Sequence, residues 1–476
     1  MRQFIGRERE LKRLNDLSER ARAAMVVIKG RRRVGKSRLV EEFATGKVYL
    51  PFAGLAPIES VSAQDQRDAF ARQFAAHFRL PPLTFTDWSD AFSHLSNNLP
   101  LDAPTVILFD EISWMGDKDP TFLPKLKVWW DDTLQKRSNI LLILCGSVSI
   151  WIEENIIKST AFFGRISLQI SLGELNLSEC AQLLSAIGFK GSLYDKFKLL
   201  AITGGVPWYI EQISPSDTAD LTIKRLCFEK DGLLVGEFDK IFHDLFKKHG
   251  DVYKKIVHIL DSGMRDLVQI RESLAYAKSG SLSGYMASLI TSGFASYHYN
   301  WSFKTQSIGK KGLYRLSDNY LRFFLKYIEP NMPKIANNHY MDLTLSHLPG
   351  WQAMMGLQIE NLILNNRALL LAALGLAPSD IVADNPYIQR TTTRHTGCQI
   401  DYLIQTHTNT LFVCEFKTTK RELGIEVIES VQEKIDRLAV PRGFAVVPVL
   451  VHLGEVSRAV YEKKYFYRII DLADFL

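Results

Sequence analysis

Residues 30–37 have the sequence GRRRVGKS, which fits the phosphate-binding pattern GxxxxGK[ST]. The apolar run 25–28 precedes the loop and predicts a buried strand, and the segment 38–44 predicts a helix. Strand, glycine loop and helix in this order form the context in which the pattern holds phosphate. The alternative is a glycine turn that carries Lys-Ser without a ligand. The stretch therefore predicts an α/β core with a nucleotide site at this loop.

The chemistry of phosphate binding explains the residue types of the loop. Gly30 and Gly35 let the backbone curl so that successive N–H groups face a phosphate chain, and the start of the helix adds partial positive charge. We expect Lys36 to reach the β- and γ-phosphates and the Ser37 hydroxyl to bind Mg²⁺. ATP and Mg²⁺ are the expected cofactors. The expected nucleotide contacts are Gly30, Arg31, Arg32, Arg33, Val34, Gly35, Lys36, Ser37 and Arg38.

Two later apolar runs end in polar residues that suit the same site. The run 105–109 leads into Asp110 and Glu111. Asp110 is expected to hold Mg²⁺ through water, and Glu111 to orient or deprotonate the attacking water. The alternative for Glu111 is a helix cap. The run 140–145 leads to Ser147, which is expected beside the γ-phosphate unless it belongs to a simple turn.

Three further motifs resemble those of one family. Residues 4–11 read FIGREREL, Arg165 ends the tripeptide Phe-Gly-Arg, and residues 203–210 read TGGVPWYI. Together with the glycine loop, these motifs resemble the archaeal-type ATPases, a STAND/AAA-like P-loop family that also occurs in bacteria. The resemblance implies a three-layer parallel sheet with a helical lid. It also implies that Gly205 and Pro207 approach the nucleotide from the lid, and that Arg165 is a phosphate sensor or finger.

Composition excludes several classes of protein. A length of 476 residues predicts about three domains at ~150 residues each. With 46% apolar and 23% charged residues, the chain is typical of globular proteins. Five cysteines without a CxxC pair predict a reduced, cytoplasmic protein with neither a zinc site nor a disulfide framework. The N-terminus lacks an apolar signal region, and no apolar run approaches ~18 residues, so we expect no membrane partner.

Three domains are expected: a P-loop ATPase domain with its lid at 1–220, a second domain at 221–334 and a third at 335–476. The second domain contains 18 Lys and Arg and 11 Asp and Glu. Its net charge, the difference between these two counts, exceeds the net charge of +6 of the whole chain. Its helical patterns are followed by a β-rich stretch at 295–316, which predicts a winged helix-turn-helix. Residues 314–324, YRLSDNYLRFF, resemble the passage that ends this module in the same family.

DNA is a candidate partner of the second domain. The expected recognition helix, 282–294, has no charged residue and is a poor reader of bases. Lys304, Lys310 and Lys311 of the expected wing could hold phosphates, which position a protein without specifying a sequence. The alternative is a winged helix that only connects domains. Residues 330–334, PNMPK, predict a linker to the third domain.

The third domain carries its own set of charged residues. Asp401 lies on a predicted strand, and Glu415 and Lys417 lie two residues apart on the next strand, so they share one face. With Glu360 on a preceding predicted helix, the set resembles the carboxylate–carboxylate–lysine site of PD-(D/E)xK nucleases, which have a restriction-endonuclease-like α/β fold. The alternative is a surface ion pair of little energetic value.

The resemblance to these nucleases implies a role for each residue. Asp401 and Glu415 would bind Mg²⁺, with Glu360 as an accessory acid. Lys417 would position the nucleophile or neutralise developing charge. The residues Gln432 and Lys434 on the next predicted helix resemble the fourth motif of that family.

Two functions of different classes follow from the sequence. The first is an Mg²⁺-dependent ATPase whose nucleotide state controls a DNA-cleaving C-terminal domain. The second is an ATP-driven switch or scaffold, in which the nuclease-like domain only binds nucleic acid or a partner. Both are compatible with a homo-oligomer.

Overall fold

The computed structural model divides the chain into two compact units, residues 1–174 with 244–246, and residues 175–243 with 247–476. The structure describes all residues except 1–2, Pro57, Glu59, Val148, 247–248, 276–280, Met341, Arg394 and Lys420, and it leaves out the side chains of Ser149, 243–246 and 310–311.

The first unit is built on a five-stranded parallel sheet with the strand order β2-β3-β4-β1-β5. Its strands are β1 (Ala24–Lys29), β2 (Val48–Ala53), β3 (Thr105–Asp110), β4 (Ile140–Gly146) and β5 (Ile166–Ser171). Its helices are α1 (Glu8–Ser18), α2 (Lys36–Phe43), α3 (Ala63–Phe78), α4 (Trp88–Asn98), α5 (Ile112–Met115), α6 (Phe122–Asp132) and α7 (Ser149–Ile152). The predicted α/β core with a parallel sheet is confirmed.

Helices cover both faces of this sheet. Alternate residues of a strand point to opposite faces, so β1 contributes to two separate cores. Met25 and Val27 pack in the cluster that contains Phe70 of α3, whereas Val26 packs in the cluster that contains Leu39 of α2. Because both faces are buried at the centre of the sheet, β1, β3 and β4 are continuous apolar runs rather than alternating ones, which is why these three strands could be recognised in the sequence.

The parallel arrangement brings the carboxyl ends of the strands to one edge of the sheet. β1 lies between β4 and β5, and Lys29 at its end is level with Gly146 of β4. The glycine loop follows β1 at this edge, and Asp110 ends β3, which is separated from β1 by β4. Three segments that are far apart in the sequence therefore meet at one place.

The second unit begins with helices and ends with a mixed sheet. Its helices are α8 (Leu177–Ala186), α9 (Leu193–Thr203), α10 (Pro207–Ile210), α11 (Ala219–Cys227), α12 (Glu237–Phe246, whose last three residues group with the first unit), α13 (Gly250–Asp261), α14 (Leu267–Ser273), α15 (Ser281–Thr291), α16 (Asn319–Phe323), α17 (Met332–Ala336), α18 (Trp351–Asn365), α19 (Arg367–Ala373), α20 (Glu426–Arg437) and α21 (Arg458–Glu462). Its strands are β6 (Ala295–Trp301), β7 (Ile308–Leu316), β8 (Ile381–Gln389), β9 (Cys398–Thr406), β10 (Thr410–Thr418), β11 (Ala445–Leu453) and β12 (Arg468–Asp471).

Two substructures of this unit matter for function. Helices α13, α14 and α15 are followed by the antiparallel hairpin of β6 and β7, in the order that the sequence predicts. The C-terminal sheet has the order β12-β11-β10-β9-β8, in which β8, β9 and β10 pair antiparallel and β10, β11 and β12 pair parallel. Helix α20 connects β10 to β11.

The prediction that residues 330–334 form a linker is wrong. A 3₁₀ turn at Glu329–Asn331 runs directly into α17. Both prolines stand in the first turn of a helical segment, where the missing N–H costs nothing. Ile335 of α17 is buried, so the segment packs against the unit instead of crossing solvent.

Among the described residues, no helix has the length and apolar character needed to cross a membrane.

Candidate functional site

The glycine loop closes tightly over the end of β1. Gly35 and Arg33 both have left-handed backbones, with φ of 89° and 70°. A Cβ at Gly30 would lie 2.2 Å from the carbonyl oxygen of Leu172, so only glycine fits there. The buried Lys36 donates hydrogen bonds to the carbonyl oxygens of Gly30 (2.9 Å) and Arg31 (3.0 Å). The loop is thus curled around the ammonium group, with the N-terminus of α2 beside it.

Ser37 and Asp110 are brought together although they are far apart in the sequence. The Ser37 hydroxyl donates a 2.6 Å hydrogen bond to Asp110 Oδ2. Both are hard oxygen ligands of the kind that Mg²⁺ takes from proteins alongside phosphate oxygens and water. The residues present therefore fit the magnesium ion expected beside the loop.

Glu111 is held in a strained backbone and points away from its own helix. Its φ is 51°, an unfavourable region for a residue with a side chain. It precedes α5, but its carboxylate makes no capping hydrogen bond. Instead Glu111 Oε2 accepts hydrogen bonds from the backbone N–H (3.0 Å) and the hydroxyl (2.8 Å) of Ser147. The helix-cap alternative is therefore wrong, and Ser147 is the direct partner of Glu111 at the end of β4.

The arginines of the loop differ in their surroundings. Arg31 forms a buried ion pair with Glu174 at 3.2 Å, and the Arg32 guanidinium lies 6.0 Å from the Trp114 ring centre. Arg38 is half exposed and pairs with Glu41 and Glu42 along α2. For these three side chains, contact with nucleotide stays a prediction.

Arg7 supports the loop from outside, a function that the sequence pattern did not reveal. Its guanidinium is buried and donates to the carbonyl oxygens of Val34 (3.2 Å) and Gly173 (2.6 Å). Its backbone is left-handed, with φ of 62°. Arg7 belongs to the motif at residues 4–11. The structural role of this arginine is to connect the P-loop backbone to the segment after β5 by hydrogen bonds.

Arg165 lies at the amino ends of the strands, whereas the loop lies at their carboxyl ends. It immediately precedes β5, whose first residue Ile166 is level with Met25 at the start of β1. A six-residue strand spans about 20 Å, so Arg165 cannot reach a phosphate bound after β1 in the same subunit. It is held by a bidentate ion pair with Asp131 of α6, at 2.6 and 2.7 Å. That hydrogen bonding is the main reason why the pKa of Asp131 is lowered to about 2. Arg165 therefore cannot act on the nucleotide bound to its own subunit, and its action on the nucleotide of a neighbouring subunit stays a prediction.

Gly205 and Pro207 belong to the second unit. Gly205 accepts a 2.7 Å hydrogen bond from the backbone N–H of Leu175, and Pro207 is the first residue of α10. Their predicted contact with nucleotide is not tested by these local contacts.

A second cluster of charge lies in the C-terminal sheet. Glu415 of β10 is only 1% exposed, and its two carboxylate oxygens accept from Lys417 (2.8 Å) and Lys434 (2.5 Å). Lys434 Nζ is also 3.8 Å from Asp401 Oδ1. Asp401 Oδ2 accepts the backbone N–H of Phe416 at 2.9 Å. The predicted pair of carboxylates therefore meets, with Lys434 of α20 between the two.

The ammonium group of Lys434 compensates the charge of the two carboxylates in this cluster. Burial, and secondly the charge of Glu415, raises the pKa of Asp401 to about 6. Burial lowers the pKa of Lys434, but the charges of Asp401 and Glu415 outweigh that effect, so its pKa is raised. The ammonium of Lys434 thus compensates two carboxylates that would otherwise repel each other. Gln432 has no part in this, since it hydrogen-bonds Asp436 and Tyr465.

The expected metal ligand Glu360 is engaged elsewhere. Its Oε1 is 3.0 Å from Nη1 of Arg315, a buried residue of β7. Within the described part of the chain, no three or more His, Cys, Asp or Glu side chains are arranged to hold a metal ion. The structure thus corrects the prediction of Glu360 as a ligand, because a buried arginine needs its carboxylate. A metal here would have two carboxylate ligands, Asp401 and Glu415, which suffices for Mg²⁺ with water completing the shell.

The hairpin predicted as a DNA-contacting wing packs on the C-terminal sheet. Trp301 Nε1 donates a 2.6 Å hydrogen bond to Gln405 Oε1, and His298 Nδ1 is 3.2 Å from Asn385 Oδ1. Trp301 is buried in the core of that sheet. Lys304 is exposed, while the side chains of Lys310 and Lys311 lie outside those described. These contacts agree with the alternative in which the module connects domains.

Comparisons with known proteins identify a family for the N-terminal part of the chain. The family described as an ATPase domain predominantly from Archaea matches residues 4–213. An uncharacterised protein of Methanocaldococcus jannaschii is 24% identical over 341 residues, 70% of each chain. Among solved structures, a Walker-type ATPase of Pyrococcus abyssi has a TM-score of 0.49 at 15% identity, covering 68% of this chain and 96% of that one. The ORC2 protein of Aeropyrum pernix has a TM-score of 0.44 at 12% identity, covering 70% and 95%. Residues 4–213, in which the loop, the Ser37–Asp110 contact and Glu111 meet, are therefore an archaeal-type P-loop ATPase domain.

Proposed function

We propose that this protein binds and hydrolyses ATP with Mg²⁺, and that its nucleotide state controls a metal-dependent nuclease site in the C-terminal sheet. The ATPase domain supports the first part. The observation that carries the second part is the convergence of the partly buried Asp401 and the buried Glu415, with Lys417 beside Glu415. Holding two carboxylates close together away from water costs folding free energy unless a cation neutralises them. Such an arrangement is therefore more typical of a functional site than of a surface ion pair.

Each residue around the loop has a distinct task in ATP hydrolysis. A bound Mg²⁺ would neutralise charge on the β- and γ-phosphates. Ser37 would supply an oxygen ligand of the ion, Asp110 would hold the ion through water, and Lys36 would contact the phosphates from the loop. Glu111 orients or deprotonates the attacking water, and its hydrogen bonds to Ser147 fix the direction of its carboxylate. Ser147, which neighbours this carboxylate, senses whether the γ-phosphate is present.

Replacing Glu111 by glutamine should leave ATP binding intact and slow hydrolysis by ~10²–10⁴-fold, the usual cost of losing one general base. Glutamine keeps the shape and still accepts the Ser147 hydrogen bonds through its amide oxygen. Phosphate release is measured in single turnover, with binding measured separately. Glu153→Gln, a carboxylate of the same unit paired with Lys29, is the matched control. Unchanged hydrolysis in Glu111→Gln would remove Glu111 from the mechanism.

The C-terminal site has the residues for metal-assisted hydrolysis of a phosphodiester. A divalent metal there would activate water and stabilise the attacked phosphorus. Asp401 and Glu415 would be its ligands, and Lys434 would have to withdraw from its place between the two carboxylates. Lys417 is partly exposed beside Glu415, with which it forms an ion pair, and from there it would position the nucleophile or the attacked phosphate.

The experiment uses the full chain, since the C-terminal sheet shares one compact unit with the preceding helices. Plasmid DNA, linear DNA, single-stranded DNA and RNA are incubated with Mg²⁺ or Mn²⁺, with and without ATP. We expect Asp401→Asn and Lys417→Ala to lose cutting and keep ATP hydrolysis. Without nucleotide, Mn²⁺ should raise the melting temperature of wild type and Lys417→Ala but not of Asp401→Asn. Glu433→Gln, an exposed carboxylate of α20, is the matched control.

Two observations favour the scaffold alternative. Lys434 already compensates the charge of both carboxylates. A non-catalytic domain would need this compensation as much as a metal site does. The hairpin packed on the C-terminal sheet also fits a connecting module better than a DNA reader. If no nucleic acid is cut and Mn²⁺ leaves the melting temperature unchanged, the protein is an ATP-driven switch whose C-terminal domain binds a nucleic acid or protein partner.

A further inference from the structure

A cavity of about 290 Å³ lies within the second unit, next to the carboxylate cluster. Its volume is close to the lower end of the range for small-molecule sites, roughly 300–1,000 Å³. Gln399 lines it and lies two residues before Asp401 on β9, so the two side chains share a face of the strand. Glu360 of α18 also lines it, and its charge acts on Asp401. The cavity therefore adjoins the proposed nuclease site.

Three cationic side chains line the cavity: Arg315, Arg322 and Lys326. Arg315 is 7% exposed, and although it lies against Glu360, its Nη1 has no acceptor in hydrogen-bonding geometry among the described residues. Lys326 is exposed, and no ion pair involving it is found in the described part of the structure. Arg315 already has Glu360 as its ionic partner, but a guanidinium carries five N–H donors, so it can donate to an anionic ligand as well.

Arg322 gives a second, independent reason. It is also 7% exposed, but its hydrogen bonds go to neutral acceptors, the carbonyl oxygens of Leu316 and Leu357 and the amide oxygen of Gln358. Among the described side chains, no carboxylate forms an ion pair with it. Burial, and secondly the charge of Arg315, lowers the pKa of Arg322 to about 10. A buried charge without an ionic partner is costly, and an anion in the cavity would offset that cost.

The carboxylates of the cavity do not cancel this charge. Glu360 is matched by Arg315, which leaves Asp261 against Arg322 and Lys326. Burial raises the pKa of Asp261, which disfavours its charged form. The remaining wall is apolar, with Leu260, Met264, Met354 and Leu357. A charged end and an apolar wall suit a phosphoryl group joined to a sugar and base.

We propose that this cavity binds a phosphate monoester, held by Arg315, Arg322 and Lys326. Arginine forks match phosphate oxygens in a bidentate manner, and the lysine adds a point charge at the entrance. The ligand is either the 5′-phosphorylated end of a nucleic-acid strand or a free nucleoside monophosphate. A strand end bound here would place the following phosphodiesters near Asp401 and Glu415, and only this last step rests on the proposed nuclease function.

Binding is measured with the full chain carrying Lys36→Ala, which removes the P-loop site, and in EDTA, which removes divalent metal. The probes are a fluorescent single-stranded oligonucleotide with a 5′-phosphate and the same strand with a 5′-hydroxyl. We expect the phosphorylated strand to bind at least about tenfold more tightly, the value of one charge-assisted hydrogen bond. Unlabelled AMP is the competitor: displacement of the strand identifies a mononucleotide as a sufficient ligand, and its failure identifies the strand end. Either result supports the cavity.

Two substitutions test the cavity without disturbing the core. Lys326→Gln removes an exposed charge, and Ala353→Trp fills the cavity from an exposed position of α18. Both should abolish the preference for the phosphorylated strand, whereas Lys334→Gln, an equal loss of charge on α17, should keep it. Equal binding of the two strands, or a preference that survives both substitutions, would overturn the proposal. Since no metal is present, either outcome is independent of whether the protein cuts nucleic acid.

Discussion

Replacing Lys36 by alanine should abolish ATP binding while leaving the fold intact. The ammonium group is buried within the curled loop and hydrogen-bonds two of its carbonyl oxygens, so it lies where the β- and γ-phosphates are expected. No other lysine of the first unit is placed inside this loop, among the residues described. Calorimetric titration of ATP with Mg²⁺ should show saturation for wild type and no measurable heat of binding for the variant.

Two controls separate a lost contact from a damaged loop. Lys36→Met keeps the aliphatic part of the side chain and removes only the charge, and it should fail to bind ATP as well. Lys12→Ala removes an exposed lysine of α1 and should bind ATP like wild type. Circular dichroism and melting temperature verify that all three variants fold. Equal ATP affinity in Lys36→Ala and wild type would contradict the P-loop assignment of this segment.

Replacing Arg165 by alanine should lower ATP turnover by ~10³–10⁵-fold, the range known for arginine fingers. The register of β5 against β1 places Arg165 at the edge of the sheet away from the loop, so it can reach a nucleotide only in a neighbouring subunit. The ion pair with Asp131 holds the guanidinium in a fixed orientation for such a contact. Turnover is measured at a protein concentration at which sedimentation shows an oligomer.

Mixing two inactive variants provides the decisive measurement. In a mixed oligomer, Lys36→Ala contributes an intact Arg165, and Arg165→Ala contributes an intact loop, so activity should return. Arg13→Ala, an exposed arginine of α1 that donates to Gln169 on β5, is the matched control and should be active by itself. If the mixture stays inactive although the oligomer forms, Arg165 has no role at the nucleotide and its pair with Asp131 is structural.

The parts of this protein that were predictable are those in which neighbouring residues carry the information. The strand before the loop could be recognised because a parallel strand buried on both faces is an uninterrupted apolar run. Gly35 and Lys36 could be assigned because phosphate binding depends on a few consecutive residues. Asp401 and Glu415 could be predicted to lie close together because two consecutive strands joined by a short turn have few alternative registers of strand pairing.

The predictions that failed concern contacts across long distances in the sequence. Glu360 has the right position on its helix for a metal ligand, but Arg315, which comes from a hairpin, takes its carboxylate. Residues 330–334 have the composition of a linker, yet Ile335 packs inside and draws the segment into a helix. For Glu360 the partner lies far along the chain, and local composition does not contain that partner.

The sequence alone determined the P-loop, the acidic strand end that faces it and the order of elements, because these depend on short-range geometry and on the burial of apolar runs. Only the tertiary structure decided that Arg165 lies at the opposite end of the strands from the loop, that Glu111 accepts hydrogen bonds from Ser147, and that Lys434 lies between the carboxylates of Asp401 and Glu415. The physical reason is the same in each case. A charged side chain is directed by the partner that compensates its burial, and that partner is chosen by how strands and helices pack, not by the residues beside it.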